Sequence, residues 1–472
     1  MKINREWYLG KVKACWIGKS IGGTMGGPYE GKREMLDVKG YITPKGQPLP
    51  NDDLDLQLVW LCAVEDRGIR NITPQVLGEY WLSYITPPWS EYGIAKANMK
   101  LGLIPPISGE YSNDVYKHSN GAWIRTEIWA CLLPGFPELA VKYAFSDGCI
   151  DHGMGEGTYA AMFVAALESA AFFENDIRKL IEVGLSYIPE DSYVHKCVKL
   201  AVEMYDNGAE FAYARNSLVE LTKELGWFMA PANVGFVVLG LMYGEGDFKK
   251  SMLYAINCGD DTDCTASTIG SIMGIMGGME AIPQDWADYI GDSIQSVAID
   301  LSYRVRPKSC TELTRRVYEL MPSALKSYEV YTEYTDGENE LEKLPEQLRM
   351  VDFKIPDTPY SVNLPDLIYA RGRVELSSIK AICGEEISLK FLLANIMYEP
   401  LHLQIKVSVP EGWSLSKSEF NMYLDHWDFG RDSTETIKIV PGENIALKNK
   451  ITIEISCEGR ITSAISTVNI LG

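Results

Sequence analysis

Two short acidic runs are the segments of this sequence whose residue types and spacing suggest chemistry. Residues 51–55 (NDDLD) directly precede a helical pattern at 56–65, and residues 259–265 (GDDTDCT) directly precede an uncharged stretch at 266–279. Carboxylates in the first turn of a helix gain about 0.3–1 kcal/mol each from its exposed N–H groups and dipole. A well-capped helix, with Asn51 as the N-cap, is therefore a sufficient explanation of the first run taken alone.

The second run is harder to explain as a cap. The uncharged stretch contains glycines at 270, 274, 277 and 278 and predicts a buried, closely packed helix, which places three carboxylates inside the protein. Two unit charges about 4 Å apart repel by roughly 4 kcal/mol at an effective dielectric near 20, and the helix dipole offsets only a fraction of this. A bound divalent cation would resolve the conflict, and oxygen ligands favour Mg²⁺, Ca²⁺ or Mn²⁺ over zinc. A solvated acidic turn is the alternative.

The spacing of Asp261 and Asp263 restricts where these ligands lie. Residues two apart do not share a helix face, so both carboxylates can reach one ion only from the irregular turn before the helix. The sequence therefore predicts ligands on a loop.

Three polar segments containing glycine are further candidates for ligand binding. Residues 151–157 (DHGMGEG) and 120–125 (NGAWIR) are two of them, and Glu30 follows a glycine-rich run at 22–29. Glycine permits close backbone approach to a ligand, and His152 beside an acid can hold a sugar hydroxyl or move a proton. A structural hydrogen-bonding role for His152 is the alternative. The glycine-rich run is not a P-loop, because no Gly-Lys-Ser/Thr closes it in register.

The elements that must position these segments are helices. From residue 2 to about 344, apolar residues recur at three- and four-residue spacing, as at 159–172 and 194–205. Turn signals such as Pro105-Pro106 separate these stretches. We therefore predict a multi-helix bundle over residues 1–345.

After an acidic, polar segment at 331–346, the apolar period changes from helical to alternating. The alternation predicts short strands separated by turn residues, and about 110 residues of this kind are typical of an immunoglobulin-like β-sandwich. We place this second domain at residues 355–472. The predicted strands are 387–393, 403–409, 436–440, 450–455 and 461–470.

Composition excludes several classes of partner. The chain has 472 residues, a formal net charge of −20 and a pI near 4.8, so neither nucleic acid nor an anionic membrane surface is an expected partner. The uncharged segment 225–244 contains Pro231 and is flanked by Glu224 and Glu245, which favours a core helix over a membrane span. No secretory signal is visible, and the ten cysteines include no C-x-x-C pair. We therefore expect a cytoplasmic protein with reduced cysteines.

Taken in order, the polar segments resemble the motifs of the ADP-ribosylglycohydrolase family, which includes the glycohydrolase that removes ADP-ribose from dinitrogenase reductase. The resemblance covers residues 6–278. It is carried by 18–30, similar to the family's first-helix motif with its acid; by 51–53, similar to T-D-D-T; by 119–122 with Arg125, similar to S-N-G-x-x-M-R; by His152, similar to T-H; and by 259–264, similar to G-G-D-T-D-T.

The resemblance implies an all-α orthogonal helical bundle with two Mg²⁺ ions, or Mn²⁺, at the acidic motifs. Its implied metal ligands are Glu30, Asn51, Asp52, Asp53, Asp261 and Asp263, with Cys264 or Thr265 at the family's hydroxyl position. Its implied catalytic residues are Glu30 as acid/base, Asp53 and His152. Its implied substrate-binding residues are Asn120, Gly121, Arg125, His152, Gly153, Gly155 and Glu156.

Three positions depart from the family pattern. Asn51 replaces a threonine, Cys264 replaces a hydroxyl ligand, and Lys19 replaces an aspartate. An amide oxygen is an acceptable ligand for Mg²⁺, whereas a thiol is a poor partner for a hard cation. Either Thr265 supplies the missing oxygen or water takes that coordination position. We expect the metal site to be retained, whereas these residues do not define the substrate.

Three functions are consistent with these residues. The first is a metal-dependent hydrolase that cleaves an N- or O-glycosidic bond of an ADP-ribosyl-like substrate, small or attached to a protein. The second is a hydrolase of another small glycoside or carbohydrate that uses the same metal site. The third is a degenerate protein that binds metal or ADP-ribose without turnover. The sequence does not give the oligomeric state.

Overall fold

A computed structural model describes residues 1–302, 304–340, 353–365, 367–397, 399–425 and 431–472. The chain forms two compact units, Met1–Ile94 with Ser112–Val351 and Ala95–Tyr111 with Asp352–Gly472. The domain boundary predicted between 345 and 355 falls largely on residues 341–352, which lie outside the described residues. Residues 95–111, predicted to belong to the helical domain, are part of the second unit. The reason is that Leu103 and Ile107 lie in the hydrophobic core of its sheets.

The helical region confirms the fold predicted for the first part of the chain. Its helices begin and end close to the Gly, Pro and Asx signals of the sequence; for example, the Asp176 side chain accepts a bond from Arg178 N as an N-cap. The helices of the described chain are α1 Arg5–Gly26, α2 Asp52–Arg67, α3 Pro74–Tyr84, α4 Ser90–Lys100, α5 Ile107–Glu110, α6 Glu127–Leu132, α7 Pro137–His152, α8 Glu156–Ala170, α9 Ile177–Leu185, α10 Tyr193–Asp206, α11 Phe211–Leu221, α12 Ala230–Gly244, α13 Phe248–Asn257, α14 Thr262–Gly277, α15 Gln284–Ile290 and α16 Cys310–Lys326.

Helices α1 and α14 pack against each other at backbone distance. A Cβ on Gly18 would lie 2.1 Å from the carbonyl oxygen of Gly270, and a Cβ on Gly22 would lie 2.2 Å from the carbonyl carbon of Ala266. Only glycine at these positions permits this approach, because any larger side chain would overlap the facing backbone. The contact fixes the end of α1 beside the start of α14. We call this contact the α1–α14 seam.

The uncharged segment 225–244 forms helix α12 from Ala230 onward, and most of its residues are buried. None of the helices in the described parts of the chain is long and apolar enough to cross a membrane.

The second unit consists mainly of antiparallel strands, and it confirms the predicted β-sandwich. Its strands are β3 Ser361–Asn363, β4 Ala370–Leu376, β5 Ile387–Asn395, β6 Leu401–Ser408, β7 Ser414–Leu415, β8 Glu419–Leu424, β9 Asp432–Val440, β10 Lys448–Cys457 and β11 Ala464–Leu471; β1 Lys2–Asn4 and β2 Glu333–Thr335 pair in the first unit. One sheet has the order β11-β10-β6-β8 and the other β3-β4-β5-β9-β7. Residues alternate between buried and exposed at every step along β6, so one face of this strand packs in the core.

Candidate metal centre

The start of α14 is joined to the residues that follow α1. The N–H of Gly31 donates to the carbonyl of Asp260 at 2.8 Å, and the N–H of Asp260 donates to the carbonyl of Lys32 at 2.9 Å. Together with the α1–α14 seam, these bonds hold Glu30 beside residues 261–264. The two motifs, more than 200 residues apart in the sequence, therefore meet in one place.

Five side chains from three segments form two overlapping groups of possible ligands. The ligand atoms of Asp53, Asp263 and Cys264 lie within 4.8 Å of one another. The same holds for those of Glu30, Asp261 and Asp263. Asp263 belongs to both groups. We call the first group the thiol group and the second the carboxylate group; each could hold a cation, with Asp263 shared between them.

Several carboxylate oxygens in these groups are buried without a hydrogen-bond partner among the described residues. They are Asp53 Oδ2, Asp261 Oδ1 and Asp263 Oδ1. A buried charged oxygen without a partner is costly, and such atoms in folded proteins call for a specific explanation. Cations between these side chains would satisfy them, so the residues present fit a metal centre.

Burial and mutual repulsion raise the pKa values of these carboxylates. Loss of hydration, with a contribution from the carboxylate of Glu30, raises the pKa of Asp261 to about 7. Loss of hydration and the carboxylates of Asp263 and Asp52 raise the pKa of Glu30 to about 7. The pKa values of Asp53 and Asp263 are raised well above their ordinary value, mainly by burial. Without a cation, the centre therefore retains protons at neutral pH.

Asn51 and Asp52 lie at the edge of the groups. The side-chain oxygen of Asn51 accepts from the N–H of Asp53 at 2.8 Å, so it is the N-cap of α2, and its Nδ2 is 3.4 Å from Asp263 Oδ2. Asp52 accepts a hydrogen bond of 3.0 Å from the hydroxyl of Tyr92. Asp52 is close enough to raise the pKa of Glu30. Tyr92 was not expected from the sequence.

Cys264, rather than Thr265, is directed into the centre. The thiol of Cys264 donates to Asp53 Oδ1 across 3.6 Å. The hydroxyl of Thr265 donates to the carbonyl of Thr262 at 3.3 Å, within its own helix. The structure therefore brings the sulfur, and not the neighbouring hydroxyl, among the possible ligands.

Asp260, in the middle of the acidic run, is turned toward arginines. Its carboxylate lies 3.7 Å from Arg33 Nε and 3.8 Å from the guanidinium of Arg215. Its φ of 58° is in the left-handed region, which gives the chain a sharp turn before α14. Burial raises the pKa of Asp260 to about 6 although both arginines lower it. Asp260 is thus outside both ligand groups.

A buried cation and its partner lie next to the centre. Lys19 is 2% exposed; its ammonium donates to Glu127 Oε1 at 2.6 Å and lies 3.9 Å from Asp53 Oδ2. Burial alone would lower the pKa of Lys19, but Glu127 and then Asp53 outweigh it and raise the pKa above its ordinary value. Gln57 and Ser271 donate further bonds to Glu127. Lys19 was recognised in the sequence as a departure from the family pattern, but its partner was not.

Asn120 supports a carboxylate of the centre. Its Nδ2 donates to Asp261 Oδ2 at 2.7 Å, and its side-chain oxygen accepts from Trp123 Nε1 at 2.9 Å. Asn120 is fully buried. In the structure it holds a predicted metal ligand in place, and its role in substrate binding stays a prediction.

Arg125 and His152, also predicted to bind substrate, are fully buried in a charged network. Arg125 donates to Asp147 at 2.9 Å and to Asp151 at 2.8 Å, and His152 Nδ1 lies 2.9 Å from Asp151. His152 Nε2 is hydrogen-bonded to Ser119 at 3.1 Å. Because neither side chain reaches the surface, both act in the structure as supports for the 119–125 loop. The i,i+4 acids at 147 and 151, on one face of α7, were the sequence signal for this network.

The remaining predicted substrate residues have structural partners. Gly121 accepts from Arg125 at 2.7 Å through its carbonyl oxygen, and Glu156 accepts the N–H groups of Tyr193 and Val194, both at 2.9 Å. Gly153 has a φ of 51°, which ends α7 in a tight turn. A Cβ on Gly155 would lie 2.1 Å from the carbonyl oxygen of Lys117. These positions shape the fold around the centre.

A small cavity of about 20 Å³ lies against the thiol group, with Lys19, Gly23, Asn51, Asp53 and Ser293 in its lining. This volume holds about one or two water molecules rather than a substrate. Glu30, in contrast, is exposed. Solvent therefore reaches the carboxylate group from the side of Glu30.

The comparisons with known proteins identify the fold and the class. The family model of the ADP-ribosylglycohydrolases matches residues 4–315, about two thirds of the chain. The chain belongs to the ADP-ribosylglycohydrolase family. It is accordingly a hydrolase acting on glycosyl bonds, in a family that acts on ADP-ribosylated substrates and is generally metal-dependent.

Several solved structures are similar to parts of the chain, and no curated protein matches it. An "ADP-ribosylglycohydrolase-related protein complex" is 18% identical, with a TM-score of 0.44, and covers 68% of this chain and 99% of that one. The GAE domain of yeast GGA1 is 19% identical with a TM-score of 0.19, over 24% of this chain and 99% of that one. The GAE domain of GGA2p from Saccharomyces cerevisiae is 16% identical with a TM-score of 0.16, over 24% and 96%.

Proposed function

We propose that the protein uses two neighbouring divalent cations to hydrolyse an N- or O-glycosidic bond of an ADP-ribosyl-like substrate. One observation carries the proposal: the thiol and carboxylate groups share Asp263, and one carboxylate oxygen each of Asp53, Asp261 and Asp263 is buried without a hydrogen-bond partner among the described residues. Mg²⁺ or Mn²⁺ suits the oxygen ligands of the carboxylate group. The proposed ligands are the members of the predicted set that form the two groups, Glu30, Asp53, Asp261, Asp263 and Cys264. Of Cys264 and Thr265, between which the sequence leaves the choice open, the proposal takes Cys264.

When bound, the cations would supply Lewis-acid stabilisation of substrate oxygens and a more acidic water. The protein supplies the charges that hold them. Asp263 is shared, Asp53 is held beside Lys19, and Asp261 is held by Asn120. Because Asp53 and Asp261 are positioned by buried partners, these two ligands need little reorganisation on binding.

Glu30 is the proposed acid/base. It is the exposed member of the carboxylate group, so it is the side chain that can exchange a proton with a leaving group or a water on the solvent side. Asp53 acts as a ligand from the buried side. His152 acts as a positioning residue, since its ring lies behind the 119–125 loop.

The exposed side of the centre has an aromatic border. A Cβ on Gly31, next to Glu30, would lie 3.9 Å from the Trp227 ring, and the rings of Trp227 and Phe228 have centroids 5.3 Å apart. Both side chains are half-buried. We propose that they form one wall for the substrate, because a flat aromatic surface packs well against a sugar or base ring.

Hydrolysis of ADP-ribosyl-arginine and ADP-ribosyl-serine model substrates tests the proposal. The whole protein is stripped of metal, reloaded with Mg²⁺ or Mn²⁺, and compared with the Asp261→Asn/Asp263→Asn double variant. We expect turnover only in the loaded wild-type protein. Turnover in the stripped protein would contradict the role of the cations.

Asp260→Asn is the matched control. It removes the charge of an adjacent acid that lies outside both groups, and asparagine tolerates the left-handed φ of this position. We expect it to retain cation binding and turnover. Turnover of pentosides or oligosaccharide fragments alone would indicate the second function, and cation binding without any turnover the third.

A further inference from the structure

The thiol group differs from the carboxylate group in the atom that faces the centre. Cys264 Sγ lies within 4.8 Å of the ligand oxygens of Asp53 and Asp263, and its proton is donated to Asp53 Oδ1. The side chain is 6% exposed. A sulfur atom is therefore fixed at a position from which it can contact a cation.

No hydroxyl oxygen from the next residue replaces this sulfur. Thr265 is fully buried and donates its hydroxyl proton to the carbonyl of Thr262. Its backbone N–H donates to the carbonyl of Asp261 at 3.2 Å, so its position is fixed by the helix. The helix thus offers the thiol, and not the Thr265 hydroxyl, to this side of the centre.

The second observation is an unsatisfied oxygen in the same group. Asp53 is 1% exposed, and its Oδ2 has no hydrogen-bond partner among the described residues. A cysteine alone does not define a site. Here Asp53 accepts the hydrogen bond of the thiol with one oxygen, and its other oxygen is buried without a hydrogen-bond partner among the described residues, so the two residues together define one. The two residues offer one sulfur and one oxygen ligand to the same space.

The neighbouring ammonium of Lys19 makes this position unfavourable for a cation that is held by charge alone. Lys19 Nζ lies 3.9 Å from Asp53 Oδ2 and repels any divalent cation there, so a cation at this position needs the additional bonding that a thiolate supplies. In the ion pairs of the described residues, by contrast, no cation pairs with Glu30, Asp261 or Asp263. The carboxylate group is therefore better suited to Mg²⁺.

We propose that the centre is chemically mixed: the thiol group binds a borderline transition-metal cation of the Zn²⁺ or Co²⁺ class through Cys264, and the carboxylate group binds Mg²⁺. This inference rests on the proposed function, because it assumes that cations bind here at all. On binding, the thiol proton leaves to solvent as the sulfur–metal bond forms, and no electron is transferred. Thiolate is a ligand that these cations accept readily and Mg²⁺ does not.

Titration of the metal-free whole protein with Co²⁺, without oxygen, tests the proposal. We expect a near-ultraviolet thiolate-to-cobalt charge-transfer band that saturates at one ion per chain. Cys264→Ser should bind Co²⁺ without the band. Cys62→Ser, which changes a buried cysteine of α2 outside both groups, should keep it.

Metal counting provides a second readout. After incubation with one equivalent of Zn²⁺ and an excess of Mg²⁺, followed by gel filtration, we expect one Zn²⁺ per chain in the wild type and in Cys62→Ser. Cys264→Ser should lose it. If this variant fails to fold, as judged by circular dichroism, Cys264→Ala is measured in its place.

The outcomes separate this inference from the proposed function. Co²⁺ binding without a charge-transfer band, together with loss of binding in Asp261→Asn/Asp263→Asn, would overturn the mixed centre and leave the proposed function standing. Absence of any cation binding by the wild type would overturn both.

Discussion

The side-chain amide of Asn120 donates a hydrogen bond of 2.7 Å to the carboxylate of Asp261. The bond joins the 119–125 loop, which the Arg125 network holds from behind, to the start of α14. A segment that resembles a substrate loop in the sequence is thus part of the support of the candidate metal centre. We therefore expect substitutions in this loop to be detected first as a change in cation affinity.

Asn120→Ala should weaken cation binding. The variant removes the bond that orients Asp261, and loss of such support lowers metal affinity by roughly 10- to 100-fold. Isothermal titration with Mn²⁺ measures the effect. Asn71→Ala, on a residue whose amide bonds to a carbonyl near the surface, is the control and should bind as the wild type does. Unchanged affinity in Asn120→Ala would show that Asp261 does not need this bond.

Lys19→Met should strongly destabilise the protein. The change leaves the buried carboxylate of Glu127 without its cation, which costs about 3–5 kcal/mol of unfolding free energy for a buried pair. Lys249→Met breaks the exposed pair with Asp285 and should cost about 0–1 kcal/mol. Urea unfolding of the metal-free protein measures both.

The double variant Lys19→Met/Glu127→Gln separates charge from packing. We expect it to recover much of the stability lost in Lys19→Met, because no unpaired charge remains. A double variant as unstable as Lys19→Met would show that Lys19 stabilises the protein by packing alone.

The metal-free protein should lose stability as pH rises from about 5 to about 8. Glu30 and Asp261 have folded-state pKa values of about 7, above their unfolded values, so the folded state binds more protons over this range. Mg²⁺ replaces these protons, and its stabilising effect should increase over the same range. Thermal melts at several pH values, with EDTA or with Mg²⁺, measure both trends. Melting temperatures in EDTA that stay constant or rise would be inconsistent with these shifted pKa values.

Gly18→Ala should separate α1 from α14. The new Cβ would lie 2.1 Å from the carbonyl oxygen of Gly270, and such overpacking costs about 1–3 kcal/mol or more. Gly10→Ala, on the same helix, has no atom within 4 Å of the new Cβ and should stabilise the protein by about 0.5–1 kcal/mol. Denaturant unfolding and Mn²⁺ titration of both variants measure stability and the integrity of the centre. Equal stability of the two variants would contradict the close packing of the seam.

The ligand types could be predicted from the sequence because they are local. Carboxylates before an uncharged, glycine-rich helix carry their own electrostatic argument, whichever residues surround them. The pairing of Lys19 with Glu127 could not be predicted in this way, since 108 positions separate them. The one local signal for this pair is the position of Lys19 among the glycines of a closely packed helix, because a lysine buried there needs an acid nearby.

The surroundings of Arg125 and His152 could not be predicted from the sequence for a related reason. Polar residues beside glycines resemble an exposed binding loop. In the structure both side chains are instead buried and paired, Arg125 with Asp147 and Asp151, and His152 with Asp151. Residues 95–111 show the same limit in the fold. Their helical pattern is visible in the sequence. Leu103 and Ile107, however, pack among strands that lie more than 250 residues later in the sequence.

The α1–α14 seam also sets the order in which the molecule can be completed during synthesis. The hydroxyl of Thr262 bonds the carbonyl of Gly26 across 236 positions. The glycine face of α1 therefore stays uncovered until most of the helical domain has been translated. Contacts between such distant segments form slowly. We therefore expect the nascent chain to need protection of α1 from aggregation, and the candidate centre to form only after α14 has been translated.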